Sequence, residues 1–366
     1  MALDLRICNE RAMMSERTAV PLPEIEKVLE QLWEEQKTLN RIRASLFNLV
    51  VYVQDPARIP CIKEIVQHVL RYFPCRLIFI QTDATLTEIQ ASVATETIGQ
   101  ANAGIACDQI RLTVPPSHLQ RIPFLILSYL IPDLPIYLLW GEDPFTEAFL
   151  FPYLAEAASR LIFTHAPVRN ILELLNKYPN LELMDLEWLW CSGWRALFHQ
   201  VFDNSPYLRQ LQNARNLRIH YNSAKLLPEE AIRQPLYLVA WLANRLKWEG
   251  ATYESDPSQQ VMEFTYGIHE VTIALISEPL PLYHPGTVFE IELESVEEYH
   301  FEFKPMQAQS KVVVYISNPD TCDLPFTLPL QSLGSDFPYI KEIFYSSITP
   351  QYKSMLETLL TFETSA

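Results

Sequence analysis

The sequence predicts an α/β protein: an N-terminal, mostly parallel sheet with flanking helices and an inserted hairpin, followed by a C-terminal α+β domain with a largely antiparallel sheet. Three observations predict it. Four short apolar runs, LFNLVVYV, CRLIFI, PIYLLW and RLIFTH, alternate with helical stripes in the first half of the chain; near-continuous apolar strands belong to sheets covered on both faces. From Asp185 the pattern changes to two tryptophan-bearing helices. Beyond Gly250 come strands that alternate with period two, as in a sheet with one wet face. The expected boundaries are a disordered N-terminus over 1–20, an α/β domain over 21–180 and an α+β domain over 181–366.

The elements follow in order. A helix is expected from Pro23 to about Lys37, with Pro23 at its first position, Glu24 and Glu26 favouring its dipole, and an apolar stripe of Ile25, Val28, Leu29, Leu32 and Trp33. Ile62, Ile65, Val66, Val69 and Phe73 form the stripe of the next helix, and further helices are expected near 117–131, 145–158 and 168–178. TEIQASVATETI and IACDQIRLTV read as a hairpin that interrupts the parallel layer, with GQANAG as its turn. LEWLWCSGWRALFHQVF reads as one helix N-capped by Asp185, and PLYLVAWLANRLKW as a second that stops at Gly250. The strands VMEFTYG, HEVTIALI, TVFEIELES, EYHFEFK and KVVVYIS follow, and helices near 336–346 and 350–362 close the chain.

Composition excludes several functions. A net charge of -16 disfavours a nucleic-acid backbone and an anionic membrane surface. The apolar run from Ile122 to Trp140 is interrupted by Asp133 and by Pro123, Pro132 and Pro135, so a buried helix followed by a strand explains it better than a membrane span. The first forty residues lack the apolar core of a signal peptide, which points to the cytoplasm. The 6 cysteines include no CxxC, so free buried thiols are expected rather than a zinc or thioredoxin-like motif. Only 8 glycines are present. Gly99 and Gly104 have P-loop spacing, but Ile105 and Ala106 stand where Lys and Ser/Thr belong, and no GxGxxG occurs. No cofactor is expected.

CDQIRLTVPPSHL carries a cysteine, an aspartate and a histidine together. On a strand, Ala106, Asp108, Ile110, Leu112 and Val114 share one face, and Cys107, Gln109, Arg111 and Thr113 the other. Cys107 and Asp108 therefore do not act on one atom. Pro115 and Pro116 start a helix that carries His118 a turn away. Asp108 on an apolar face needs donors, and is expected to anchor a loop or a helix N-terminus. The histidines include no HxxxH, and Trp190, Trp194 and Trp241 read as core. No catalytic or metal residue is assigned. Glu290, Glu292 and Glu294 share one strand face, either a solvated sheet surface or an acidic docking surface for a basic partner. The strand ends carry Asp55, Asp83, Glu142, Asp143 and His165. This ring is read as caps and solvated loops, with a sugar-phosphate-binding protein or enzyme as the alternative.

RASLFNLVVYV, CRLIFI, CDQIRLTVPPSHLQRIP, LIPDLPIYLLWGEDP, DLEWLWCSGWRALFHQVFD and LYLVAWLANRLKW resemble, in that order, the OpcA family, the glucose-6-phosphate dehydrogenase assembly proteins. The resemblance runs from about Pro21 to Trp248 and is thin beyond 250. It implies a cytoplasmic, non-enzymatic protein whose partner is glucose-6-phosphate dehydrogenase. Such a protein promotes the enzyme's active oligomer or activates it allosterically, and so supports the oxidative pentose phosphate pathway, carbohydrate metabolism and NADPH supply. It assigns no catalytic residue. Asp108, Pro115, Pro116, Asp133, Trp140, Trp194 and Trp241 fall on motif positions that shape the fold. Arg43, Arg111 and Arg195 are the expected partner contacts, since arginine is enriched in interface hot spots. Photosynthetic members are associated with thiol-dependent control, which the sequence spacing of these cysteines does not support.

Overall fold

The structure, a computed structural model, describes residues 18–98, 104–146, 149–164, 166–203, 205–224, 231–256, 259–266, 268–280, 283, 285–306, 310–330, 343–344 and 349–365. The chain divides into two compact units, Met1–Phe163 with Tyr178–Glu182, and Thr164–Lys177 with Leu183–Ala366. The division sets the helix over Val168–Lys177 in the second unit, whereas the sequence boundary near 180 leaves it in the first.

The first unit contains β1 (Thr18–Ala19), α1 (Ile25–Thr38), β2 (Ile42–Arg43), β3 (Asn48–Val53), α2 (Ile59–Tyr72), β4 (Arg76–Thr82), β5 (Gln90–Ile98), β6 (Ile105–Val114), α3 (Ile122–Tyr129), β7 (Ile136–Trp140), α4 (Leu150–Ala157) and β8 (Arg160–Phe163). Its sheet runs β1-β5-β6-β4-β3-β7-β8, with β2 also paired to β6. Pairs β6/β4, β4/β3, β3/β7 and β7/β8 are parallel, and every residue of β3 is buried. The run from Ile122 to Trp140 resolves into α3 and β7, and no helix among the described residues is long and apolar enough to cross a membrane.

Three expectations for this unit are corrected. Thr18 and Ala19, placed by the sequence in a disordered terminus, pair with Ser92 and Val93; residues 1–17 lie outside the described residues. The hairpin forms as expected, β5 antiparallel to β6, but it extends the parallel layer rather than interrupting it. β6 is antiparallel to β5 on one side and parallel to β4 on the other, so it is an interior strand of the sheet. The helix expected over 117–131 opens as a 3-10 turn over Pro116–Arg121, because Pro123 has no N–H to offer the Leu119 carbonyl and the α-helical ladder starts only at Ile122.

The second unit begins with α5 (Val168–Lys177). After β9 (Glu182–Asp185), through which the division runs, come α6 (Leu186–Trp190), α7 (Ser192–Phe202), α8 (Ser205–Gln212), β10 (Ala214–Asn222) and α9 (Arg233–Leu246). Then follow β11 (Glu249–Asp256), β12 (Gln259–Tyr266), β13 (His269–Glu278), β14 (Val288–Ser295), β15 (His300–Pro305), β16 (Lys311–Ser317), β17 (Phe326–Pro329) and α10 (Pro350–Ser365). The sheet order is β11-β12-β13-β10-β14-β15-β16-β17, antiparallel except for the parallel pair β10/β13. Its apolar face meets the helices through rings: Trp194 and Phe198 of α7 against Phe303, Phe202 against Phe301, and Phe362 of α10 against Phe264.

The expected single helix after Asp185 is two, broken at Cys191. β10 had no sequence assignment, yet it is the strand that joins the two halves of the sheet. Lys247 closes α9 in the left-handed region at φ 60. The helix expected over 336–346 lies largely outside the described residues.

Candidate functional site

The order β6-β4-β3-β7-β8 reverses direction between β3 and β7, which is where doubly wound sheets gather ligands on free backbone N–H groups. In this chain those groups are already occupied. Glu142 Oε1 accepts from both Gln54 N and Asp55 N at 2.8 Å, and Arg58 Nη1 reaches Glu142 Oε2 at 3.4 Å and Gly141 O at 2.9 Å. The chain's own carboxylate sits where a ligand anion would. A Cβ at Gly141 would meet Tyr52 O at 3.1 Å, so the loop is drawn tight against β3.

The other strand-end carboxylates behave alike. Asp55 Oδ1 caps Ala57 N, Asp83 Oδ1 accepts from Thr85 N and its hydroxyl, and Asp143 Oδ1 accepts from Phe145 N. The Thr85 hydrogen bonds hold the Asp83 carboxyl below its ordinary value. The ring is a set of turn caps; His165 lies outside the described residues.

Asp108 is buried and ligated by cations rather than by a loop or a helix N-terminus. Its Oδ2 accepts from Arg76 Nε at 3.0 Å, Arg76 Nη2 at 2.6 Å and Arg43 Nη2 at 2.7 Å, and its Oδ1 from Trp33 Nε1 at 2.5 Å. Arg76 also reaches Tyr129 O at 2.7 Å and Glu26 at 2.9 Å. One carboxylate thus ties α1, β2, β4 and β6 together. Arg43 stacks over Trp33 at 4.8 Å and keeps an exposed edge. Arg111 lies half-buried over Phe79 at 5.7 Å, and Pro115 extends the chain out of β6. Asp133 adopts φ 65 in the turn before β7. Trp140 is fully buried and stacks on Tyr52 at 4.4 Å.

Cysteines far apart in sequence become neighbours: the Cys75 backbone hydrogen-bonds Cys107, and both thiols are buried. Burial pushes Cys75 well up and Cys107 up to about 12, so neither is a thiolate.

In the second unit, Asp185 caps α6 as expected, accepting from Glu187 N at 2.9 Å. Its Oδ2 also accepts from the hydroxyls of Tyr237 on α9 and Tyr352 on α10, each at 2.7 Å. Burial pushes its carboxyl up to about 6 against those two hydrogen bonds. Sequence reasoning found the cap but not the two tyrosines, which lie 52 and 167 residues away. Arg195 donates to Trp188 O at 2.6 Å and stacks on the Trp188 ring at 3.5 Å, joining α6 to α7. Trp194 is buried and donates to Val288 O at 2.8 Å, and Trp241 packs edge-on to Phe198.

The wet face of the second sheet holds the predicted glutamates. Registers set Arg218 beside Glu292 and Glu292 beside Glu302, Asn216 beside Glu294, and His220 beside Glu290. Arg218 pairs with Glu292 at 3.0 Å, Lys304 pairs with Glu302, and Asn216 bonds Glu294 at 2.9 Å. Among the described residues, no ion pair engages Glu290 or Glu294. Burial pushes the Glu290 carboxyl up, opposed by His220 and Lys304. A groove of about 220 Å³ runs between Arg218, Glu292, Glu294, His300 and Tyr315. Glu290, Glu292 and Glu302 lie close enough to share an ion, but they read as an acidic surface without further ligands.

Residues 66–178 match the model described as the glucose-6-phosphate dehydrogenase subunit N-terminal domain, and residues 181–335 the corresponding C-terminal domain. Among curated proteins, the chain is 26% identical over 54% of its length to a putative OxPP cycle protein OpcA of Synechocystis, covering 41% of that protein. It is 27% identical over 42% of its length to the protein of the same name from Nostoc punctiforme, covering 32% of it. The matched region thus spans less than half the length of these relatives. A solved structure titled a putative oxidoreductase from Bacteroides fragilis aligns over 87% of this chain and 97% of its own, at 8% identity and a TM-score of 0.43, a likeness too slight to argue from.

Proposed function

The chain belongs to the OpcA family of glucose-6-phosphate dehydrogenase subunits, and from that premise we propose that it acts without chemistry of its own, by docking on the dehydrogenase and favouring its active form. The observation that carries the reading is the switch point of the first sheet. The N–H groups that would cradle a nucleotide or substrate phosphate hold Glu142 instead. The strand-end carboxylates, the alternative catalytic ring, are committed to their own turns. Buried Cys75 and Cys107 are held protonated.

The wet face of the second sheet is the docking surface we favour. Among the described residues neither Glu290 nor Glu294 makes an ion pair, so a basic patch on the dehydrogenase would complete them. A partner shifts an equilibrium only by its differential affinity for the two states. A tenfold shift toward the active oligomer needs about 1.4 kcal/mol, within reach of a modest interface.

The test is the double variant E290K/E294K, mixed with the dehydrogenase and followed by size exclusion. Both side chains are half-exposed, so the fold is expected to survive, which circular dichroism checks. Loss of co-elution and of activation supports the surface. Unchanged co-elution and activation by a folded variant removes it.

A further inference from the structure

A second feature stands apart from docking and lies in the first unit. The exposed face of α1 and the segment after it enclose a groove of about 720 Å³, a volume typical of small-molecule sites. Four cations line it, Lys27, Lys37, Arg41 and Arg43, against two carboxylates, Glu30 and Glu34. In a chain of net charge -16 this is a local reversal of sign.

The two guanidinium groups are held in place. Arg43 is fixed by Asp108 at 2.7 Å and by the ring of Trp33 at 4.8 Å. Arg41 donates from Nη1 to Gln36 Oε1 at 2.5 Å, and Gln36 is itself fixed to Thr95 at 3.1 Å. Asn40, at φ 55, turns the chain so that Arg41 folds back toward α1. The Nε of Arg41 is enclosed yet has no acceptor among the described residues. A preorganised guanidinium suits a tetrahedral anion, because it matches phosphate oxygens in pairs and loses little freedom on binding.

We propose that this groove binds a phosphate monoester, with Arg41 and Arg43 holding the phosphate and Lys27 adding charge. Glu30 and Gln31, on the same wall, are placed to accept hydroxyls from the body of the ligand. Glu34 is engaged by Lys37 at 2.5 Å, which leaves Lys27 and the two arginines as the anion's partners. The site differs from the strand-end ring in both residues and position.

Calorimetry on the full chain, with no dehydrogenase present, tests it using a hexose 6-phosphate and the unphosphorylated hexose at matched ionic strength. The phosphate ester is expected to bind saturably and the free sugar not at all. Arg41→Gln is expected to weaken binding about tenfold. Should that variant fail to fold, Lys27→Gln, on the exposed helix face, is expected to weaken it several-fold. Absence of saturable heat up to about 10 mM ester, where even millimolar affinity would register, overturns the proposal. So does wild-type affinity in folded Arg41→Gln or, where that variant does not fold, in Lys27→Gln. Because no partner is in the cell, either failure leaves the docking reading untouched.

Discussion

Asp108 shows how one side chain can hold a domain together. It is 1% exposed and its nearest cation, Arg76, is nearly as buried. A buried pair is weak evidence for net stability, but removing one partner strands the other charge. Asp108→Asn is therefore expected to lower unfolding stability by about 3–5 kcal/mol in urea titration; a loss under about 1 kcal/mol, the scale of an exposed pair, would show the site is not dry. Asp185 makes stability depend on pH. Its folded carboxyl is pushed up to about 6 from an ordinary 3.8, so between those values the folded state binds more proton than the unfolded one. Its contribution is greatest below about pH 4 and is lost as pH rises to about 6, a span of about 3 kcal/mol. Other carboxylates slope the other way, so the check is the difference between wild type and Asp185→Asn in unfolding curves from pH 4 to 7, which should diverge across that window. Identical slopes would contradict the assignment. The thiols give a third residue-level expectation. Among the described cysteines, exposed Cys322 should alkylate first in the folded protein, while Cys75 and Cys107 should react only on unfolding, as read by peptide mass spectrometry.

At the scale of elements, α10 is fastened by its first turn. Tyr352 donates to Asp185, and Met355, Leu356, Leu359 and Phe362 are buried behind it. Tyr352→Phe removes one hydrogen bond from a buried acceptor that keeps Tyr237, so a loss of about 1–2 kcal/mol is expected, with faster proteolysis near the C-terminus. Which elements were readable follows from the range of the forces that make them. β3, β4, β7 and β8 announce themselves as apolar runs because both their faces are covered, and α2 because its stripe is regular. β10 alternates Leu217, Ile219 and Tyr221 with Asn216, Arg218 and His220, but it follows directly on a helix. Its parallel pairing with β13 is made with residues more than fifty positions away. The break at Cys191 was hidden because the apolar stripe continues across it. Asp108 was legible as a carboxylate needing donors, since it lay on an apolar strand face. Its donors were not, because Trp33, Arg43 and Arg76 reach it across separations of 75, 65 and 32 residues.

For the whole molecule, the first unit keeps the outline of a ligand-binding α/β layer while its switch point is closed by Glu142, and the second offers a broad sheet with a carboxylate-bearing face. That combination is what the proposed docking role rests on. If the proposed face docks the dehydrogenase, the complex should dissociate as salt rises, since exposed charges are screened beyond about 8 Å at physiological ionic strength. The most direct measurement is the activity of glucose-6-phosphate dehydrogenase against glucose 6-phosphate, with and without an equal amount of this chain, with size exclusion run on the same mixture. The account predicts co-elution and a raised apparent affinity for substrate, both weakened by salt and by E290K/E294K. An unchanged activity curve with separate elution of the two proteins would contradict it.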